Sequence, residues 1–278
     1  MGRLTALLLT DSFKQQAIVD NRAGAGGRVG FEHVANSAPD GYTLLLGGSG
    51  PMIIQPALYP KLPYNVQKDF VPITPVAMSA YVLLVHPAVP AQTLTQLIAL
   101  SKSKPGVLNY ASSGVGAFGH LAAELFQAMA KVKMVHVAYK GTSPGVLSVM
   151  TGETDLIFSD ILTAVPAVHS GRLRAIAVTG LKRSSALPGV PTVAEAGLPA
   201  LEVQNRYGVL APTGTPKDTI MRLNAALVKS LQSAETRKRV EADGSEAVTS
   251  TPEEFASFIK TETERWFKVI KGAGIKPE

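Results

Sequence analysis

Short apolar segments alternate with helix-like segments along most of the chain, and this alternation constrains the fold more than any other feature. Most strand-like segments hold four to six residues rich in Val, Ile, Leu and Tyr, as buried parallel strands do. They are Ala17–Asp20, Thr43–Leu46, Val71–Pro75, Tyr81–Val85, Leu108–Ala111, Val135–Ala138, Leu156–Phe158, Leu173–Val178 and Tyr207–Leu210. The helix-like segments are Arg28–Asn36, Leu94–Ser103, Phe118–Lys131, Pro144–Thr151, Leu162–Val168 and Val193–Ala196. This order predicts an α/β fold with parallel sheets and helices on both faces.

Both ends of the chain are predicted to be helical. At the start, Leu4, Leu7 and Leu8 form one face of an amphipathic helix, and no export signal is recognised there. Near the other end, Lys217–Ser230 and Ala234–Ala242 are predicted helices. A third begins at Thr251 and Pro252 and ends near Lys271. Its predicted buried side chains are Phe255, Ile259, Trp266, Phe267 and Ile270.

The composition argues against several classes of function. The chain has no cysteine, which excludes disulfides, thiolate nucleophiles and cysteine-bound metals. Its five histidines are dispersed without the spacing of a metal motif. The net charge is +6, but the basic residues are scattered and not interleaved with aromatic residues, so we expect no nucleic-acid partner. No apolar run reaches the ~18 residues of a membrane span, so we expect no membrane insertion.

The most informative segment is the glycine-rich turn between a predicted strand and helix at Ser112–Gly116. A helix N-terminus presents backbone N–H groups and a partial positive charge, which suits a carboxylate or a phosphate. Ser112 and Ser113 could add hydrogen bonds to such an anion. The alternative is a tight turn that needs glycine only for its backbone angles, and the sequence leaves both interpretations open.

The same segment matches the dinucleotide-binding fingerprint through Gly114, Gly116 and Gly119. That fingerprint expects an acidic residue after the next strand, and Lys140 stands there instead. A second glycine cluster, Asn21–Gly30, also lies between a strand and a helix, and we interpret it as a close-packed turn. Neither cluster has the ending of a phosphate-binding P-loop.

Other strand ends carry small or polar residues, and ligands of open α/β sheets bind beyond the carboxyl ends of strands. Asp160 is predicted either to contact a ligand or to cap the following helix. His120 is predicted to pack inside the protein, and Glu124 to pair with it or face solvent. No pattern indicates a catalytic residue, a metal or a cofactor.

A series of short segments occurs in one order along the chain. They are Val19–Gly27, Pro39–Leu46, Asp69–Ile73, Tyr110–Gly116, His120–Ala122, Tyr139–Gly141, Gly171–Thr179, Arg183–Ser184, Leu187–Gly197 and Ala211–Pro216. Together they resemble the Bug-type solute receptors of tripartite tricarboxylate transporters, and the resemblance covers essentially the whole chain. It implies a periplasmic, non-catalytic receptor whose partners are the membrane subunits of a transporter or a sensor kinase.

The resemblance implies the type II periplasmic-binding-protein fold, with two three-layer α/β lobes that close on a ligand. Lobe 1 would comprise residues 1–82 and 206–278, and lobe 2 residues 83–205. The predicted crossing strands lie in Ala80–Pro87 and Glu202–Leu210. The implied ligand is a small carboxylate, such as a di- or tricarboxylate, an acidic amino acid or an aromatic acid. The residues expected to face it are Gly48, Ser49, Ser112, Ser113, Gly114, Tyr139, Gly141, Thr142 and Asp160.

Two departures from the family pattern accompany this resemblance. Family members start with a strand and a proline- and glycine-rich loop that holds the ligand, whereas this chain starts inside the following helix. We therefore expect the first strand to be missing and ligand binding to be weakened. In addition, Asn205–Tyr207 stands where the family often has tryptophan. The alternatives to a transport receptor are an NADP-dependent oxidoreductase that uses the Gly114–Gly119 turn, and a receptor descendant with a sensory or scaffold role.

Overall fold

The computed structural model describes residues 1–242 and 244–275 and has a mixed α/β architecture. The helices are α1 Gly2–Phe13, α2 Arg28–Ala35, α3 Gln55–Leu58, α4 Val66–Asp69, α5 Leu94–Ser103, α6 Phe118–Ala130, α7 Thr142–Met150, α8 Ile161–His169, α9 Lys217–Leu231, α10 Ala234–Ala242 and α11 Pro252–Ala273. The strands are β1 Leu45–Gly47, β2 Phe70–Val85, β3 Asn109–Ser112, β4 Val135–Ala138, β5 Leu156–Asp160, β6 Arg174–Val178, β7 Gln204–Pro212 and β8 Ser245–Ala247.

Most predicted elements are present, but two are absent and two predicted strands form one. Ala17–Asp20 forms no strand, and the Ile18 side chain is 81% exposed. Val193–Ala196 forms turns rather than a helix. Val71–Pro75 and Tyr81–Val85 belong to one continuous strand of 16 residues, β2, because the intervening residues keep an extended backbone.

The chain folds into two compact units, which are described separately. Unit 1 comprises Met1–Met78, Arg206–Glu241 and Glu246–Lys268, and unit 2 is built mainly from Ser79–Asn205. One boundary falls inside β2 and another inside β7, the strands that overlap the predicted crossings. The lobe limits derived from the sequence, 1–82 with 206–278 and 83–205, stay a prediction.

The sheet of unit 2 contains parallel and antiparallel strands. β3 is parallel to both β4 and β5, as the strand–helix alternation predicts. β2 is antiparallel to β5 and to β6, so the expectation of wholly parallel sheets was wrong. A helix, α5, lies between β2 and β3 in the chain, so the strand–helix alternation alone did not determine the direction of β2.

The core of unit 1 is built on α1 and α9. Leu4 and Leu8 of α1 pack in one hydrophobic cluster with Leu223 and Leu227 of α9. The apolar stripe of α9 is therefore buried as its 3.6-residue period predicts. Leu7 departs from the predicted face of α1 because its side chain is 43% exposed. Within this unit β1 runs antiparallel to β7.

The start of α11 follows its sequence signature closely. The Glu254 amide donates to Thr251 Oγ1 at 3.2 Å, and the Thr251 amide donates to Glu254 Oε2 at 2.9 Å, which together form a capping box. Phe267 was wrongly predicted to be buried, since its side chain is 54% exposed. None of the helices in the described ranges combines the length and the apolar character that crossing a bilayer requires.

Candidate functional site

Three parallel strands of unit 2 end at the same edge of its sheet, and a helix begins after each of them. Ser112 at the end of β3 is in register with Ala138 at the end of β4, and β5 runs parallel on the other side of β3. The following helices α6, α7 and α8 therefore start at this edge. Each helix start carries a partial positive charge and N–H groups that point away from the helix. The starts of α6 and α7 have no side-chain cap, so their backbone N–H groups are suited to hold an anion.

The turn between β3 and α6 requires glycine. Gly114 has φ 125° and Gly116 has φ 74°, a backbone region that other residues rarely adopt. Ser112 is buried, and its Oγ accepts a hydrogen bond from the Gly114 amide at 3.1 Å and lies 2.6 Å from His136 Nε2. Ser113 is half-buried, so its hydroxyl is the one that this turn leaves partly accessible. The turn interpretation and the anion interpretation of this segment are therefore compatible.

The turn between β4 and α7 carries the predicted site residues Tyr139, Gly141 and Thr142. The Tyr139 ring packs against the hydrophobic cluster that includes Val146 and Val149, and burial raises the pKa of its hydroxyl. Gly141 has φ 129° and precedes α7 without a side-chain cap. Gly141 and Thr142 are half-buried, and their neighbours Lys140 and Ser143 are exposed.

The end of β5 carries a buried carboxylate that caps α8. Asp160 Oδ1 accepts a hydrogen bond from the Leu162 amide at 3.0 Å and from Ser79 Oγ at 3.1 Å. The capping role that the sequence left open is thus present, and Ser79 supports it from β2. No local pattern in the sequence indicates Ser79, because its partner Asp160 is 81 positions away in the chain.

Replacing Asp160 with alanine is expected to lower the free energy of unfolding by about 2 kcal/mol, because α8 loses its cap and buried Ser79 loses an acceptor. Asn keeps an oxygen acceptor, so Asp160→Asn should lower the free energy of unfolding by no more than about 0.5 kcal/mol. Urea unfolding measures both values. Ser103→Ala, an exposed hydroxyl at the end of α5, is the control and should change little. Equal losses for Ala and Asn at position 160 would contradict the capping role.

In unit 1 the loop after β1 is held by two hydrogen bonds of one side chain, Ser49. Ser49 is buried, and its Oγ accepts a hydrogen bond from the Arg206 amide at 2.8 Å and donates to the Arg206 carbonyl at 3.3 Å. Ser49 thus joins this loop to β7 of the same unit. Gly48 is half-buried, and its carbonyl accepts a hydrogen bond from the Met52 amide at 3.2 Å.

Arg206 occupies the segment in which the sequence departs from the family pattern. Its guanidinium lies 3.7 Å from the ring centroid of Phe258, and burial lowers its pKa. The sequence singled out this segment but assigned no contact to it. The structure shows that Arg206 packs β7 against α11 while its backbone holds Ser49.

The third glycine of the dinucleotide fingerprint has a packing role. A Cβ atom at Gly119 would lie 2.5 Å from the Phe158 carbonyl oxygen, so only glycine lets α6 approach β5 this closely. Lys140, which replaces the expected acidic residue, is exposed. In the second cluster, Gln55 Nε2 donates to the Gly26 carbonyl at 3.0 Å and thereby supports the turn before α2. Among the residues that the structure describes, no group of three or more His, Cys, Asp or Glu is arranged to hold a metal ion.

Several solved structures share this fold, and two of them were solved with a small molecule. The chain shares 32% identity and a TM-score of 0.96 with Rpa4515 of R. palustris with adipate, and the match covers 99% of this chain and 92% of that one. It shares 31% identity and a TM-score of 0.91 with MatC of Rhodopseudomonas palustris with bound malate, with coverages of 97% and 92%. For the periplasmic binding protein BugD, the identity is 29%, the TM-score 0.94, and the coverages 99% and 93%.

The family comparison agrees with these structures. Residues 1–275 match the family described as "Tripartite tricarboxylate transporter family receptor". The fold is that of the periplasmic binding proteins of this family, as the resemblance predicted. The resemblance drawn from the short segments of the sequence is confirmed, and the chain belongs to the family of tripartite tricarboxylate transporter receptors.

Proposed function

We propose that this protein is a periplasmic receptor that binds a small dicarboxylate without transforming it and delivers it to the membrane subunits of a tripartite transporter. The observation that carries the proposal is the edge of unit 2 at which α6 and α7 begin, since the start of α8 is already capped by the Asp160 carboxylate. Backbone amides and small hydroxyl side chains at this edge hold a carboxylate group by hydrogen bonds to a negative charge, which are stronger than neutral ones.

The proposed ligand class is supported by the small molecules present in two similar structures. Rpa4515 was solved with adipate and MatC with malate, and both molecules are dicarboxylates. Their folds match this chain over nearly its whole length. The periplasmic location rests on the family and on BugD, which is described as a periplasmic binding protein.

The proposed ligand-facing residues fall into two groups that differ in burial. Direct contacts come from accessible groups, and we assign them to Gly48, Ser113, Gly141 and Thr142. The others shape the turns: Ser49, Ser112, Gly114 and Asp160 are buried, and Tyr139 is half-buried with its hydroxyl oxygen out of contact with solvent. We keep the two-lobe division into residues 1–82 with 206–278 and 83–205 as part of this proposal.

Calorimetric titration with adipate and malate tests the proposal. We expect saturable binding of one molecule per chain and recovery of the acid unchanged afterwards. Thr142→Val should weaken binding about tenfold, because a hydrogen bond to a charged group contributes about 1.5 kcal/mol. Thr151→Val is the matched control, since this threonine lies at the other end of α7 and its hydroxyl bonds only to carbonyls of that helix in the described contacts.

Two results would contradict the proposal. The first is a failure of adipate, malate and a panel of other di- and tricarboxylates to bind. The second is saturable NADPH binding in a fluorescence titration, which would favour an oxidoreductase that uses the Gly114–Gly119 turn. Equal affinities for the wild type and Thr142→Val would remove Thr142 from the site but leave the receptor function in place.

A further inference from the structure

The glycine amides of the turn between β3 and α6 are held from inside the protein. The Gly114 amide donates to Ser112 Oγ at 3.1 Å, and the Gly116 amide donates to His120 Nδ1 at 3.3 Å. Both glycines have positive φ, and glycine can adopt many other backbone conformations. These two hydrogen bonds therefore select one conformation of the turn. The shape of this turn therefore depends on two side-chain acceptors.

Each acceptor is connected to a histidine. His120 supplies one acceptor directly, and a neutral imidazole that accepts at Nδ1 carries its proton on Nε2. His136 Nε2 lies 2.6 Å from the hydroxyl oxygen of Ser112, which is the other acceptor. The two imidazole rings stack with their centroids 4.3 Å apart and their planes 24° apart. One pair of stacked rings thus reaches both ends of the turn.

The stack is anchored at its far side. The Tyr110 ring stacks on His136 with centroids 4.8 Å apart, and its hydroxyl donates to Glu124 Oε1 at 2.5 Å. Gln127 donates to the same carboxylate oxygen at 2.6 Å and accepts from the Met134 amide, just before β4. Glu124 therefore bonds to Tyr110 and Gln127, whereas the sequence suggested His120 or solvent as its partner. These bonds fix the rings relative to β3, β4 and α6.

We propose that His136 and His120 are positioning residues that pre-organise the Ser112–Gly116 turn for carboxylate binding. This inference rests on the proposed receptor function and deepens it. The histidines do not contact the ligand. They act through Ser112 and Gly116 and hold the turn in one conformation. Ligand binding then carries no free-energy cost for ordering the turn.

Two variants of His136 test this inference, because one keeps an aromatic ring without the ring nitrogens and the other keeps a polar group without the ring. His136→Phe keeps a stacking ring and loses the bond to Ser112, and we expect about tenfold weaker binding of adipate or malate by calorimetry, with the melting temperature nearly unchanged. His136→Gln places an amide near the position of Nε2 and should restore most of the affinity. His33→Phe is the matched control, because His33 is exposed on α2 of unit 1, and its affinity should equal that of the wild type.

Hydrogen exchange provides a second measurement that needs no ligand. In His120→Leu the Gly116 amide loses its acceptor, so we expect its exchange to accelerate about tenfold or more. His120→Asn should preserve protection, because the Asn oxygen can take the place of Nδ1. Wild-type binding combined with unchanged affinity in His136→Phe would overturn the positioning role and leave the receptor function intact. Absence of wild-type binding would refute the receptor function, and the exchange rates would then decide the positioning role by themselves.

Discussion

Replacing Gly119 with alanine is expected to lower the free energy of unfolding by about 3 kcal/mol. The added Cβ would lie 2.5 Å from the Phe158 carbonyl oxygen and 3.2 Å from a ring carbon of Tyr81. The nearest obstacle is the backbone of β5, which cannot rotate away as a side chain can. α6 must therefore move outward, and the preceding turn moves with it. We expect the same variant to weaken adipate binding.

Urea unfolding and calorimetry of Gly119→Ala measure the two effects. Gly189→Ala is the matched control, since no atom lies within 4 Å of its added Cβ and its φ lies outside the left-handed region. Its free energy of unfolding should stay within about 0.5 kcal/mol of the wild type. A Gly119→Ala variant as stable as this control would show that α6 does not depend on close contact with β5.

Replacing Gly208 with alanine is expected to destabilise unit 1 by a similar amount, about 3 kcal/mol. The added Cβ would overlap Phe255 Cζ and would lie 2.5 Å from Phe255 Cε1. Phe255 is only 1% exposed, so its ring has no open space into which it can turn. β7 and α11 would have to separate, and the backbone of β7 is also what holds Ser49.

A double-mutant cycle identifies the cause of the Gly208→Ala effect. Phe255→Leu removes the obstructing ring, so the double variant should be more stable than the sum of the single effects predicts, by about 1–2 kcal/mol. Gly272→Ala in α11 meets no atom within 4 Å and should stabilise the helix by up to about 1 kcal/mol. Strict additivity of Gly208→Ala and Phe255→Leu would exclude this steric explanation.

Local sequence patterns predicted the elements whose formation depends on interactions between residues close together in the chain. β4 spans Val135–Ala138 and α5 spans Leu94–Ser103, as their sequences indicate. The capping box at Thr251 forms because its residues are three positions apart on one chain. Ala17–Asp20 failed as a strand although its composition favours one, because strand formation also needs a neighbouring backbone to pair with.

The sequence suggested a position for the candidate site, which stays a prediction, and did not indicate how the residues there are bonded to one another. The rule that ligands bind beyond the carboxyl ends of strands led to Ser112–Gly116, Gly141 and Asp160. The sequence did not indicate that the Ser112 hydroxyl bonds to His136, because these residues are 24 positions apart and meet only through the pairing of β3 with β4.

The sequence by itself determined the α/β class, the order of most elements, the glycine turns and the family, because these depend on periodicity, turn chemistry and short motifs along the chain. Only the tertiary structure decided the direction of β2, the burial of Ser112 and Asp160, and the histidine stack beneath the turn. These features arise from contacts between residues far apart in the chain, and such contacts follow from strand pairing and packing rather than from any local pattern.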